Sequence, residues 1–209
     1  DGPITVTDAD IGGSWKSILV GGMGKGGKMF YAVDVTDPSA VKTEADAAAA
    51  LMWEFKDSDL GYSYGKPLVT KTNAFGKKWL VVVSSGYNNA SGEGKLWFLD
   101  AKDGTVLKVM STGVGSAGSP SGLAQFSAYT QDQTNYLADQ IYAGDLLGNF
   151  WRFDVSDPDS SKWKVEKMAT LTSPSGTAQP ITTAPQIEID IANGVDRWVF
   201  VGTGRLLHE

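Results

Sequence analysis

Residues 30–37 (FYAVDVTD), 96–103 (LWFLDAKD) and 150–157 (FWRFDVSD) align without a gap. Each copy reads apolar or aromatic, aromatic, any residue, apolar, Asp, small or apolar, polar, Asp. The shared aspartates Asp34, Asp100 and Asp154 recur at roughly 50–65 residues, a spacing that suits one enlarged blade of a repeat protein. An apolar strand lies upstream of each copy: 15–20 (WKSILV), 79–83 (WLVVV) and 141–143 (IYA). A Gly-rich turn joins strand to copy at 21–28, 86–95 and 144–149, so each unit reads as a hairpin. A further strand follows at 51–55, 105–110 and 162–167, and another unit opens at 197–201 (RWVFV).

This pattern predicts an all-β chain, a β-propeller of four-stranded antiparallel blades. A sandwich explains the strands but not the repeat. The blades are expected near 12–60, 61–115 and 135–172, with a truncated one at 180–209, as one propeller segment. About three and a half blades cannot close a ring and would leave open edges. The sequence therefore predicts a fragment of a larger propeller, or a chain that pairs with another. A start at Asp1 without Met points the same way.

Composition agrees with a strand-rich globular fold: 25 glycines, 42% hydrophobic, 11% aromatic and 20% charged residues. One short run, 44–51 (EADAAAAL), reads as helix. The net charge of −6 and the lack of Lys/Arg clusters exclude an electrostatic nucleic-acid footprint. Absent cysteine excludes disulfides, thiolate metal sites and a Cys nucleophile.

Several motifs have two readings. The second Asp of each copy (Asp37, Asp103, Asp157) stands where the chain leaves the strand, and an Asx turn explains it better than catalysis. Gly22, Gly24 and Gly27 fit G-x-G-x-x-G, but a strand follows where a phosphate site needs a helix. Asp57 and Asp59 read as turn caps before Gly61 rather than cation ligands. His208, the sole histidine, reads as an ordinary exposed residue. Trp15, Trp79, Trp97, Trp151 and Trp198 fall in predicted strands and read as packing between blades. In 131–139 (QDQTNYLAD), alternate positions are Gln131, Gln133, Asn135, the Leu137 carbonyl and Asp139. Such a loop converges on calcium when it carries carboxylates; otherwise it is a polar loop between blades.

The run 141–155 (IYAGDLLGNFWRFDV) resembles the signature of the C-terminal propeller in the PilC/PilY family of type IV pilus factors. Similar segments follow in the same order at 15–38, 53–55 (WEF), 60–67 (LGYSYGKP), 84–104, 121–125 (SGLAQ), 179–182 (QPIT) and 199–207 (VFVGTGRLL). The resemblance implies a quinoprotein-like propeller in an exported protein at the pilus tip, outer membrane surface or periplasm. It implies support of pilus assembly against retraction, twitching motility, contacts with pilins or minor pilins, and adhesion to a host surface. It also implies a calcium loop, D-x-[DN]-x-D-x-x-x-D, falling on Gln131, Gln133, Asn135, Leu137 and Asp139. This chain keeps Asp139, has Asn135 for Asp, and has Gln at the first two positions, so the implied calcium site is degenerate.

Two other functions share the fold. Residues 96–107 (LWFLDAKDGTVL) also resemble the repeat of quinone-cofactor (PQQ) dehydrogenases, which need calcium, a stacked Trp and a carboxylate base. Many of those enzymes use a cysteine pair, which this chain lacks. A carbohydrate- or protein-binding module is the other rival.

Overall fold

The computed structural model describes residues 2–130, 134–190 and 196–205. The first sheet holds β1 (Ile4–Asp10), β2 (Trp15–Gly22), β3 (Phe30–Asp34) and β4 (Leu51–Phe55). The second holds β5 (Leu68–Lys71), β6 (Trp79–Ser84), β7 (Lys95–Asp100) and β8 (Val106–Ser111). The third holds β9 (Phe126–Thr130), β10 (Ala138–Gly144), β11 (Asn149–Asp154) and β12 (Lys164–Thr170). A hairpin of β13 (Gln186–Asp190) and β14 (Asp196–Phe200) follows. Each four-stranded sheet runs in chain order and every pairing within it is antiparallel, the meander of a propeller blade.

The repeat lies on β3, β7 and β11, and the strand that precedes each copy lies on β2, β6 and β10. The first strand of each sheet lies outside the repeated segments. Consequently the first sheet begins ahead of residue 12, and the third ahead of residue 135. The Ala-rich run forms α1 (Glu44–Ala50), started by a capping box in which Thr43 and Asp46 satisfy each other's free backbone N–H groups.

All six repeat aspartates close Asx turns. Asp34, Asp100 and Asp154 accept from the N–H groups of Thr36, Lys102 and Ser156 at 3.0, 2.9 and 3.1 Å. Asp37, Asp103 and Asp157 do the same with Ser39, Thr105 and Asp159 at 3.0, 3.0 and 2.8 Å. Each strand exit is thus pinned twice, which explains a repeat that ends in Asp-x-x-Asp.

Side-chain alternation divides the buried residues into layers between sheets. Trp79, Val81 and Val83 on β6, with Trp97 and Leu99 on β7, face Ile18, Val20, Phe30 and Ala32 of the first sheet. The intervening Leu80, Val82, Leu96 and Phe98 face Ile141, Ala143, Trp151 and Phe153 of the third. The next layer joins Tyr142 and Phe150 to Ile181, with Ile187 and Val199 packed against it. Period-two burial on both faces makes β6 buried at every position, as its near-continuous apolar run requires.

Candidate functional site

Each sheet exposes two sets of loops, one at each end. The loops after β2, β6 and β10 carry most of the segments that resemble the pilus family, and the loops after β6 and β10 interlock with those after β4 and β8 by main-chain hydrogen bonds. Gly61 donates to Ser85 at 2.8 Å, Gly86 to Leu123 at 2.8 Å, and Leu146 to Ser121 at 2.7 Å. Gly86 sits at φ 65°, and a Cβ there would lie 2.0 Å from the Tyr62 carbonyl. Only glycine fits that crossing.

Asp145 anchors this end. It is fully buried. One carboxylate oxygen accepts from the N–H groups of Leu147 and Asn149 at 3.0 and 2.8 Å. The other accepts from Ser121 Oγ, Asn149 Nδ2 and Trp151 Nε1 at 3.1, 3.0 and 2.9 Å. Its carbonyl accepts from Ile181 N–H at 2.9 Å. Five donors satisfy a charge that would otherwise be costly to bury. The role is architectural, and the sequence signal is an Asp between a strand and a Gly-Asn turn.

Asp57 and Asp59 belong to the same end. Asp57 caps its turn through the Asp59 N–H at 2.8 Å. Asp59 accepts from Ser91 N–H and Oγ at 2.6 and 2.7 Å and pairs with Lys95. Burial pushes the Asp59 carboxyl up, but the bonds from Lys95 and Ser91 outweigh it and hold it below the usual range. An ammonium thus occupies the place a cation would take. Gly22 lies in β2, Gly24 bridges Ser63, and β3 follows, so a strand and not a helix continues from these glycines.

The loop read for calcium lies at the opposite end, between β9 and β10. Gln131 and Gln133 lie outside the described residues, as does His208. Asn135 Oδ1 accepts from Leu137 N–H at 2.8 Å, closing an Asx turn. Leu137 bridges Lys71 of β5. The pairing of β9 with β10 slips between Ala138 and Gln140, so Asp139 is the extra residue of a β-bulge. The described positions therefore offer one carboxylate, one amide oxygen already in a turn, and one carbonyl. That is a thin donor set for a hard cation. Among the described residues no group of three or more His, Cys, Asp or Glu is placed to hold a metal.

The tryptophans divide. Trp79, Trp97 and Trp151 are buried between sheets as expected. Trp15 and Trp198 are instead 65% and 58% exposed. Trp15 starts β2 at a sheet end, and Trp198 alternates with Val199, which is the residue that packs against the third sheet.

Comparisons with known proteins match this architecture. The family model described as the PilY1 beta-propeller domain matches residues 1–209. A PilY1 homolog of Xylella fastidiosa, called a type IV pilus biogenesis factor, is 36% identical over 99% of this chain and 16% of its own length. Type IV pilus biogenesis factor PilY1 of Pseudomonas aeruginosa is 33% identical over 90% of this chain and 17% of its own. The crystal structure of the P. aeruginosa PilY1 C-terminal domain superposes with a TM-score of 0.81 at 32% identity, covering 97% of this chain and 43% of that one. The chain thus spans about a sixth of the length of these curated relatives. On the strength of the family match and of these relatives, this chain belongs to the PilY1 β-propeller family.

Proposed function

We propose that this chain is a propeller segment of a non-enzymatic type IV pilus assembly factor. It acts from outside the inner membrane, at the pilus tip or outer surface, and holds assembly against retraction. Its partners are pilins or minor pilins, with adhesion to a host surface and twitching motility as downstream properties. The family match across the whole chain carries this reading.

The architecture supports a load-bearing role. Continuous apolar layers between sheets resist shear, and interlocked loops tie neighbouring blades at one end. The outward faces of β1 and β14 bear Ile4, Val6, Trp198 and Phe200 in exposed positions. Further blades of a larger propeller are their natural cover.

The test is genetic. A strain lacking the gene loses surface pili and twitching. Removing the retraction motor as well restores pili but not motility. Unchanged piliation in the single deletion would refute the proposal. Dye reduction by the purified protein with quinone, calcium and an alcohol would instead favour a dehydrogenase.

A further inference from the structure

A crevice of about 200 Å³ opens between the first two sheets, at the end opposite the interlocked loops. Asp10, at the end of β1, lines it from one sheet; Lys78, Trp79, Asp100 and Lys102 line it from the other. The exposed Trp15 stands edge-on to Trp79, with ring centroids 6.1 Å apart. Tyr136, also exposed, packs on Trp79 from the third sheet at 5.2 Å. Three aromatic side chains from three successive sheets thus form one ladder, half of it open to solvent.

The backbone around this ladder is strained. Phe75, Gly76 and Lys77 form a left-handed turn with φ of 53°, 66° and 57°, directly before Lys78 and Trp79. Tyr136 also lies at φ 58°, and its carbonyl is fixed by Lys71 N–H and Thr70 Oγ, both at 2.8 Å. Left-handed non-glycine residues are costly, and they collect where a ligand must be held. The first of these turns leads directly into two residues that line the crevice, Lys78 and Trp79, and the second sets Tyr136 against Trp79.

The polar groups are balanced and partly unused. Asp100 accepts from Lys78 Nζ at 3.0 Å and from Lys102 N–H at 2.9 Å. Asp10 Oδ1 accepts from Gly13 N–H at 2.7 Å, while Oδ2 has no partner among the described residues. Lys102 makes no ion pair among the described residues. Two carboxylates and two ammoniums leave no net charge to attract an ion of either sign. A neutral ligand that both donates and accepts hydrogen bonds, and has an apolar face for indole, fits all of these groups.

We propose that this crevice is a carbohydrate subsite that seats one pyranose ring of a neutral glycan. The exposed Trp15, at the rim of the crevice, takes the apolar face of the ring, and the buried Trp79 holds Trp15 edge-on. Asp10 and Asp100 accept from its hydroxyls, and Lys102 donates to them. Further sugar rings extend over the exposed face of Trp15.

The test uses the full chain and an array of neutral and acidic oligosaccharides, followed by calorimetry with the best binder. Trp15→Ala and Asp10→Asn are each expected to weaken binding roughly tenfold or more. Trp15 is exposed and Asp10 half-buried, and unchanged thermal midpoints would confirm intact folds. Trp198→Ala, on the far hairpin, is the control and leaves affinity unchanged. Absence of binding to any sugar at millimolar concentration overturns the proposal. So does binding that survives both crevice variants, or binding lost only in Trp198→Ala. Selective capture of acidic sugars overturns the neutral assignment.

Discussion

The second sheet and the first are built from the same repeat, yet they live in different surroundings. The second is covered on both faces, and β6 is buried from end to end. The first is covered on one face only, and the other leaves Ile4, Val6 and Leu51 at 50%, 55% and 44% exposure. The difference teaches that a blade does not own a core. It contributes half of two cores, and its stability depends on what stands beside it.

The sharpest way to break that comparison is a matched pair of truncations. Phe98→Ala, in the layer between the second and third sheets, is expected to cost about 3–5 kcal/mol in urea unfolding. Val6→Ala, on the uncovered face, is expected to stay within about 0.5 kcal/mol. Equal costs would mean that both faces are covered in solution. In a longer chain that supplies a neighbouring blade, the Val6 cost should rise.

A second contrast lies between buried and exposed aspartates. Asp145→Asn keeps shape but turns an acceptor of five donors into a group with donors of its own, and about 2–4 kcal/mol should be lost. Asp34→Asn removes a surface pair with Lys16 at 2.8 Å and should cost less than about 1 kcal/mol.

Acid sharpens the same contrast. The Lys16 ammonium and the Thr36 hydroxyl beside Asp34 hold its carboxyl at about 2. Hydrogen bonds from Ser39, Thr105 and Ser161 lower Asp37, Asp103 and Asp159 as well. Depressed folded values mean that this stabilisation is complete above the ordinary carboxylate range, near pH 4, and is lost as pH falls towards about 2. Melting temperature followed from pH 5 to pH 2 should fall in that window, less steeply in Asp34→Asn. A flat profile would show that the turn aspartates contribute nothing.

The smallest effect concerns calcium. With Asp139 as the one carboxylate in register, binding by calorimetry should be no tighter than about 0.1–1 mM and should vanish in Asp139→Ala. Micromolar affinity would show that the two glutamines complete a working site.

Much of the blade architecture is legible in the amino-acid sequence. The hairpins of the first three units and the strand after each follow from three aligned octapeptides and their Gly-rich turns. The first strand of each sheet is not legible, because ITVTDAD, LVTK and FSAYT share little beyond a Thr and lack the aromatic-and-Asp pattern of the repeat. Their identity as strands comes from pairing with β2, β6 and β10. Turn chemistry is half legible: the second Asp of each copy reads as a turn, whereas the first reads as strand. The crevice is not legible, since its lining residues come from two different sheets.

Local spacing and side-chain alternation determined the blade repeat, the all-β class and the family, because hairpins and Asx turns form between near neighbours. Only the tertiary structure decided which tryptophans are buried, that Asp145 joins three loops, and that Trp15, Trp79 and Tyr136 meet. Those outcomes depend on contacts between blades, and alternation along a strand says that two faces exist but not what each will meet.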